Sequence, residues 1–383
     1  MKHPSHGGGK PDGAIAVSAE TVETELIGEP VPPRRKAAGK ALIIAATALL
    51  LLVAALQALD AAGVTTIGFA NWRPTVYAYL LWAVALGAGQ VMMRGEAGQR
   101  ALFVLPAALF TVAMAIFPTF FGLYIAFTDW NLESSQGRQF NGVANLVALF
   151  HDTFYWNALL NMVFYVAMVL VEYAIGFGLA LLLNAEIRAR KFFRVAFLTP
   201  FMLSPVAVSW MVGKSLMEYR YGPASTLARH LGWESPSFFT SPWTARFGIE
   251  AMDAWVWIPF IIILMLAGLQ AMPKDVLEAG RVDGATPWQS FWKITFPLML
   301  PVSATAIVLR IIFKLKLADI VINVTAGGPG GATDSVSSFI YREYRDRSNV
   351  GYGTMLAMFY LVVIIVFVTL LLNFISKRMQ KLT

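Results

Sequence analysis

Four charged side chains, Arg310, Lys314, Lys316 and Asp319, stand inside an otherwise apolar run at about residues 297–323. An ionised group near the centre of a hydrocarbon layer costs at least about 2.5 kcal/mol, so each needs a partner or a watery cavity. Counting from Pro297, Arg310 lies roughly 20 Å along a helix. Lys314 follows one turn on, on the same face, and Lys316 and Asp319 sit three residues apart on another. Two chemistries fit. In one, Lys316 pairs with Asp319 and the other cations meet carboxylates such as Glu172 or snorkel. In the other, Arg310 and Lys314, with Phe313 between them, face a cavity and bind oxygens of a ligand, anionic ones included. A third element offers aromatic rings: "DAWVWIPF", Asp253 to Phe260, places Trp255 ahead of a Pro259 kink, a setting suited to stacking on C–H faces. Trp257 reads as an interfacial or helix-contact residue.

The elements that position these groups are set by composition. The 383 residues are 57% hydrophobic and 14% charged, with mean hydropathy +0.61, which describes a membrane protein. Eight apolar spans are predicted, at about 41–59, 75–93, 101–127, 157–184, 195–217, 248–271, 297–323 and 352–376, each long enough to cross about 30 Å. With the N-terminus inside, 18 of the 30 Lys and Arg fall in the inner segments and 8 in the outer ones, so both termini are expected in the cytoplasm. Residues 1–40, with "HPSHGGGKPDG" and "GEPVPPRRK", read as a disordered cytoplasmic tail ending in a basic anchor rather than a secretory signal. The net charge of +7 follows the loops and does not call for nucleic acid. Asn157, Asn161 and Tyr165 recur every fourth residue and suit hydrogen bonds to neighbouring segments, "GFGLALLLN" suits close helix approach, and Arg188, Arg190, Lys191 and Arg194 suit an anchor at the inner leaflet.

Several functions are poorly supplied. The chain has no cysteine and only four histidines, His3, His6, His151 and His230, which excludes disulfides and thiol catalysis and leaves a metal site poorly supplied, so none is expected. No G-x-x-x-x-G-K-[ST] loop, H-E-x-x-H or nucleophile elbow occurs. The chain reads as no enzyme.

Residues 272–296, between two spans, carry "EAGRVDGATPWQSFWKITFP" from Glu278 to Pro297. Pro273 suits a first helical position, Asp275 and Glu278 the first turns, and Gly284 a left-handed stop. Thr286-Pro287-Trp288-Gln289 then reads as a fresh N-cap with a capping box. On this second short helix Trp288, Phe291 and Trp292 form one aromatic face before Pro297 opens the next span. The segment is a helix-turn-helix at the cytoplasmic surface, either an interfacial hairpin or a docking surface.

The spacing Glu278-Ala279-Gly280, Gly284, Ile294-Thr295-Phe296-Pro297, with Asp283 and Ala285 in the flanking "VDGA" and Phe291 beyond it, resembles the cytoplasmic loop of permease subunits of ATP-binding-cassette (ABC) importers. Gly280 departs from the usual alanine, at roughly 1 kcal/mol of helix propensity, and Phe296 from leucine. "FVLPAALFTVAMAIFPTFFGLYIAFTDWNL", Phe103 to Leu132, resembles the first core helix of the carbohydrate branch. "LADIVINVTAGGPGGAT", Leu317 to Thr333, resembles another of its landmarks, and "VGYGTMLAMFYLVVIIVF" its last helix. The resemblance implies an all-α integral membrane protein with a six-helix type I importer core at 101–383 and two extra helices at 41–100, similar to the longer, maltose-type permease of a heterodimer.

It further implies a second permease, two ATP-binding subunits and a periplasmic substrate-binding protein as partners in the bacterial inner membrane. No cofactor is bound by this chain, ATP and Mg being held by the partner ATPase. By the same resemblance Glu278, Ala279, Gly280, Asp283, Gly284, Ala285, Trp288 and Phe291 form the ATPase-coupling surface. The candidate substrate contacts are Trp255, Arg310, Phe313 and Lys314, for a sugar or a sugar derivative such as a phosphate, sulfonate or uronate. Polyol or glycerol-phosphate-like importers share these landmarks. A proton-coupled transporter or an intramembrane enzyme using Asp253, Asp319 and Glu172 would use the charges without the loop.

Overall fold

The structure, a computed structural model, describes residues 31–61, 66–135 and 137–379. Among these residues the regular structure is helical, and extended pairing is limited to single bridges between Thr128 and Phe140 and between Asn131 and Asn349. Seven helices are long and apolar enough to span a membrane, or eight if one sharply bent pair is a single span. The expected all-α membrane architecture is therefore present. The N-terminal tail reading for residues 1–30 falls outside the described residues. Arg34, Arg35, Lys36 and Lys40 belong to the first helix, which begins at Pro33.

The chain divides into two compact units, residues 1–120 and 121–383. In the first, α1 (Pro33–Ala61) and α2 (Arg73–Arg94) form a hairpin, joined where the Trp82 indole N–H donates to Thr47 Oγ1 at 3.0 Å. Next, α3 runs from Glu96 to Ala126, its residues from 121 on belonging to the second unit, and passes through a π-helical turn at Val112–Ile116. Its first part is tied to α2 by Tyr79 Oη, which donates to Leu109 O at 2.8 Å.

The second unit holds α4 (Ala144–His151) and α5 (Thr153–Asn184). Asp152 starts α5 by accepting from the Phe154 and Tyr155 amides at 3.0 and 3.2 Å, the usual role of a carboxylate at an N-cap. α5 lies against α9 (Pro242–Ala271). A side chain at Gly176 would meet Ile261 at 2.8 Å, so the glycine expected to permit close approach does so. Met162, Tyr165, Val169, Ile249, Met252 and Val256 fill the seam.

The fifth predicted span, 195–217, is not straight. It is split into Arg190–Met202, whose first nine residues are α6 (Arg190–Leu198), and α7 (Pro205–Leu216), bent by 99°. Proline explains the break: Ser204, ahead of Pro205, is held extended with ψ 138°, as a pre-proline residue must be. After α8 (Pro223–His230) and α9 comes α10 (Lys274–Val282).

The seventh predicted span also differs. α11 runs from Pro287 to Lys314, so the aromatic turn after Thr286 is no separate short helix but the start of the span, joined to it by a π-helical turn at Phe291–Thr295. The helix stops at Lys314, and a short α12 (Asp319–Val324) follows. Hydroxyls from other segments donate to the freed carbonyls: Tyr360 Oη to Leu315 O at 2.9 Å, and Ser335 Oγ to Leu317 O. Buried carbonyls released by such a break need these partners. α13 (Val336–Arg345) and α14 (Val350–Met379) complete the unit.

Candidate functional site

Five charged side chains meet where α5, α9 and α11 cross. Arg310 donates to Glu172 through Nε at 2.5 Å and Nη2 at 3.0 Å, and to Asp253 through Nη2. Lys314 Nζ reaches Glu172 at 2.8 Å, Glu250 at 2.7 Å and Asp253 at 2.5 Å. The lysine thus places its three donors on three carboxylates. Both cations are 0% exposed. Above Arg310 lies the Trp257 ring at 5.1 Å, and the Tyr165 ring flanks Lys314 at 5.9 Å. Trp257 is itself stacked on Phe313 at 4.7 Å, which settles it as a helix contact. Charges this deep survive only when paired and hydrogen-bonded, and spacing of four residues on α11 against three on α9 brings matching faces together. Glu250 Oε1 and Arg310 Nη1 are buried without a partner among the described residues.

Arg310 and Lys314 are therefore brought together with Glu172, one of the two chemistries the sequence allowed. No ion pair joins Lys316 to Asp319; the helix break between them removes the expected three-residue register. Glu250 was missed from sequence, although its spacing to Asp253 in an apolar helix carried the signal: two adjacent cations call for more than one carboxylate.

Next to the cluster, the glycine-rich landmark forms a loop with Gly327, Gly330 and Gly331 at positive φ and a cis Gly328–Pro329 bond. The polar stripe of α5 holds it. Asn157 Nδ2 donates to Gly331 O at 2.7 Å, Asn161 Nδ2 to Gly331 O and Asp334 O, both at 3.0 Å, and Tyr165 Oη to Thr333 O at 3.1 Å. Arg246 adds a bond to Ala332 O at 2.8 Å and another to Asn161 Oδ1 at 2.9 Å. Tyr165 thus touches both the loop and the ion cluster.

At the far end of α11 the segment 272–296 forms two arms. α10 ends at a turn with Gly284 at φ 78°, and Thr286 caps α11 through a capping box with Gln289, both as expected. Glu278, Ala279, Asp283 and Trp288 are exposed, Ala285 is half-buried and Gly280 is buried. Trp288 and Val282 are 71% and 87% exposed. Phe291 turns inward onto Phe177 of α5 at 5.8 Å, so the aromatic residues divide between an inner and an outer face. A side chain at Gly280 would come within 2.5 Å of Ile294 Cδ1. The departure from alanine matches a tight seat of α10 on α11.

Trp255 is separate from the ion cluster. It lines a cavity of about 690 Å³ with Met211, Val212, Met217, Phe238 and Met252, between α7 and α9. Phe313, Arg310 and Lys314 are not part of that wall.

The family model for the binding-protein-dependent transport system inner membrane component matches residues 173–382. The sulfoquinovosyl glycerol transport system permease protein SmoG of Agrobacterium fabrum is 32% identical over 268 residues, 69% of this chain and 86% of that protein. The trehalose/maltose transport system permease protein MalF of Thermococcus litoralis is 31% identical over 267 residues, 70% and 90% of the two chains. Among solved structures, a bacterial alginate ABC transporter in complex with an alginate pentasaccharide-bound periplasmic protein superposes with a TM-score of 0.63 at 24% identity, covering 81% of this chain and 98% of that one. The fold, the matched core and the relatives agree on one assignment: the chain belongs to the binding-protein-dependent transport system inner membrane component family and is a multi-pass permease subunit of an ABC importer, not an enzyme.

Proposed function

We propose that this permease carries a sugar or sugar derivative inward across the inner membrane, paired with a second permease and driven by two ATP-binding subunits that hold ATP and Mg. A periplasmic binding protein delivers the substrate, and both termini face the cytoplasm. Relatives named for starch degradation products, sulfoquinovosyl glycerol and trehalose/maltose support the carbohydrate class. The excess of basic residues in the inner segments supports the orientation.

The observation that carries the mechanism is continuity. Exposed Trp288 and buried Arg310 and Lys314 stand on one 28-residue helix, α11. α10, with Glu278, is seated on that helix at Ile294. A pull on the exposed face by a closing ATPase dimer reaches the cluster joining α5, α9 and α11 through a single continuous helix. The buried ion pairs hold the three spans in register as they rock. Three carboxylates around two cations leave no surplus positive charge for an anion here. Trp255 supplies the sugar-stacking face, and the cavity's apolar wall leaves hydrogen bonding to the second permease.

The experiment is purification of the tagged chain in mild detergent with and without Glu278→Arg, with mass spectrometry of accompanying chains. Copurification of a nucleotide-binding subunit with the native chain and its loss from the variant, with the second permease retained, is the expected result. Retention of the ATPase by the variant sinks the docking role.

A further inference from the structure

We infer that α6 and the turn before it form a binding site for anionic phospholipid headgroups. Within seven residues the chain places Arg188, Arg190, Lys191 and Arg194, and none forms an ion pair among the described residues. Arg190 Nε donates to Leu183 O at 2.7 Å, which caps the carbonyl end of α5 and fixes the cations at the end of a membrane span. Arg194 is half-buried, and its Nε and Nη2 have no partner among the described residues. Against the single acid of this stretch, Glu186, the four cations leave a surplus of three positive charges, which calls for negative charge from outside the chain.

The rest of the helix says which kind. At 100° per residue, Arg190, Lys191 and Arg194 share one sector of α6, and Phe192, Phe193, Val195 and Phe197 take the remainder. Phe192 and Val195 are 67% and 69% exposed, and Phe193 lies between Phe192 and Phe197 at 5.6 and 6.2 Å. Among the described residues, Phe192 and Val195 leave this face largely open, while Phe193 and Phe197 are partly covered. The 99° bend to α7 turns α6 out of line with the segment that follows it, so α6 need not share that segment's path through the membrane. The charged arm is the one suited to the surface. A short helix with cations on one side and aromatic rings on the other, lying flat at the end of a span, matches the boundary between anionic headgroups and acyl chains. A folded protein partner is the competing occupant, and a lipid preference measured on the chain by itself separates the two. The inference uses the membrane-spanning fold and does not depend on the ATPase docking at Glu278, which the copurification experiment tests separately.

Full-length protein, delipidated in detergent and offered equal phosphatidylglycerol and phosphatidylcholine, is examined by native mass spectrometry. The native chain is expected to retain phosphatidylglycerol preferentially. Arg188→Gln/Lys191→Gln/Arg194→Gln, which spares the structural Arg190, is expected to lose that preference by on the order of a hundredfold, at roughly fivefold per cation. Arg188→Lys/Arg194→Lys is expected to keep it. Equal retention of the two lipids by the native chain, or an unchanged preference in the triple variant, overturns the proposal. If the triple variant fails to fold, Phe192→Cys, the only thiol in the chain, is spin-labelled in phosphatidylglycerol nanodiscs. Collision with oxygen and a water-soluble relaxant then gives its depth: a position at the headgroup boundary supports the site, and an aqueous or protein-covered position overturns it.

Discussion

At the scale of the residue, Lys314 is tightly constrained, because one ammonium serves Glu172, Glu250 and Asp253 at once. Replacing it with an apolar residue strands buried carboxylates, a loss of about 3–5 kcal/mol in comparable sites. Lys314→Met is therefore expected to lower the thermal unfolding midpoint in detergent sharply, and Glu250→Gln added to it to restore part of the loss through the coupling of groups in one network. Equal midpoints for Lys314→Met and native protein would remove the cluster from the account of stability. Trp255 makes a different prediction, on uptake. With an aromatic face worth about 0.5–1.5 kcal/mol, Trp255→Ala is expected to raise the half-saturating substrate concentration several-fold, and Trp255→Phe much less. Radiolabelled uptake in proteoliposomes of the assembled importer measures both, and an unchanged value for Trp255→Ala rejects the stacking role. The sequence made Arg310, Lys314 and Glu172 visible as candidates because charge in an apolar run is conspicuous. The choice between mutual pairing and a cavity was not legible, since partners lying 138 and 142 residues away in sequence become neighbours only once the spans are packed.

At the scale of the element, the glycine-rich loop is fastened by side chains of α5 and by a buried acid of its own. Burial pushes the Asp334 carboxyl up from an ordinary 3.8 to about 6, opposed by Arg342 and the Ser338 hydroxyl. For an acid raised in the folded state, the stability it contributes is complete below about pH 4 and lost as pH rises through about 6. At about 1.36 kcal/mol per pH unit, the free energy of unfolding is expected to fall between pH 4 and 7 by an amount on the order of 2 kcal/mol from this group, read as a falling thermal midpoint. Asp334→Asn is expected to flatten that part of the profile, and identical slopes for the two proteins would refute it. Local chemistry was readable here: the Thr286 capping box, the Gly284 stop and the α5 stripe of Asn157, Asn161 and Tyr165 all follow from short-range rules. What short-range rules missed were the ends of α11. Its start was masked by Pro297, which the π-helical turn tolerates, and its stop at Lys314 depends on the Tyr360 and Ser335 hydroxyls from distant segments.

At the scale of the whole molecule, transport requires that motion at the cytoplasmic end of α11 appear at the ion cluster. Ile294 is the contact through which α10 meets α11 at Gly280, so Ile294→Ala is expected to leave ATP hydrolysis by the reconstituted importer near native while lowering substrate moved per ATP. Proportional loss of both, or of neither, argues against α10 and α11 acting as one body. The spans themselves were largely written in the hydropathy, because hydrocarbon demands length and apolarity wherever it is crossed. The bend at Pro205 escaped that reading, since hydropathy counts residues and is blind to direction. The π-helical turn at Phe291–Thr295 has a further consequence for heredity. It acts as a phase shifter: one residue removed there turns everything before it by about 100° relative to everything after it. A single-codon deletion in that turn would leave the docking residues and the buried cations intact yet aim them along different bearings. Changes of chain length in this stretch should therefore survive only when a second change nearby restores the angle.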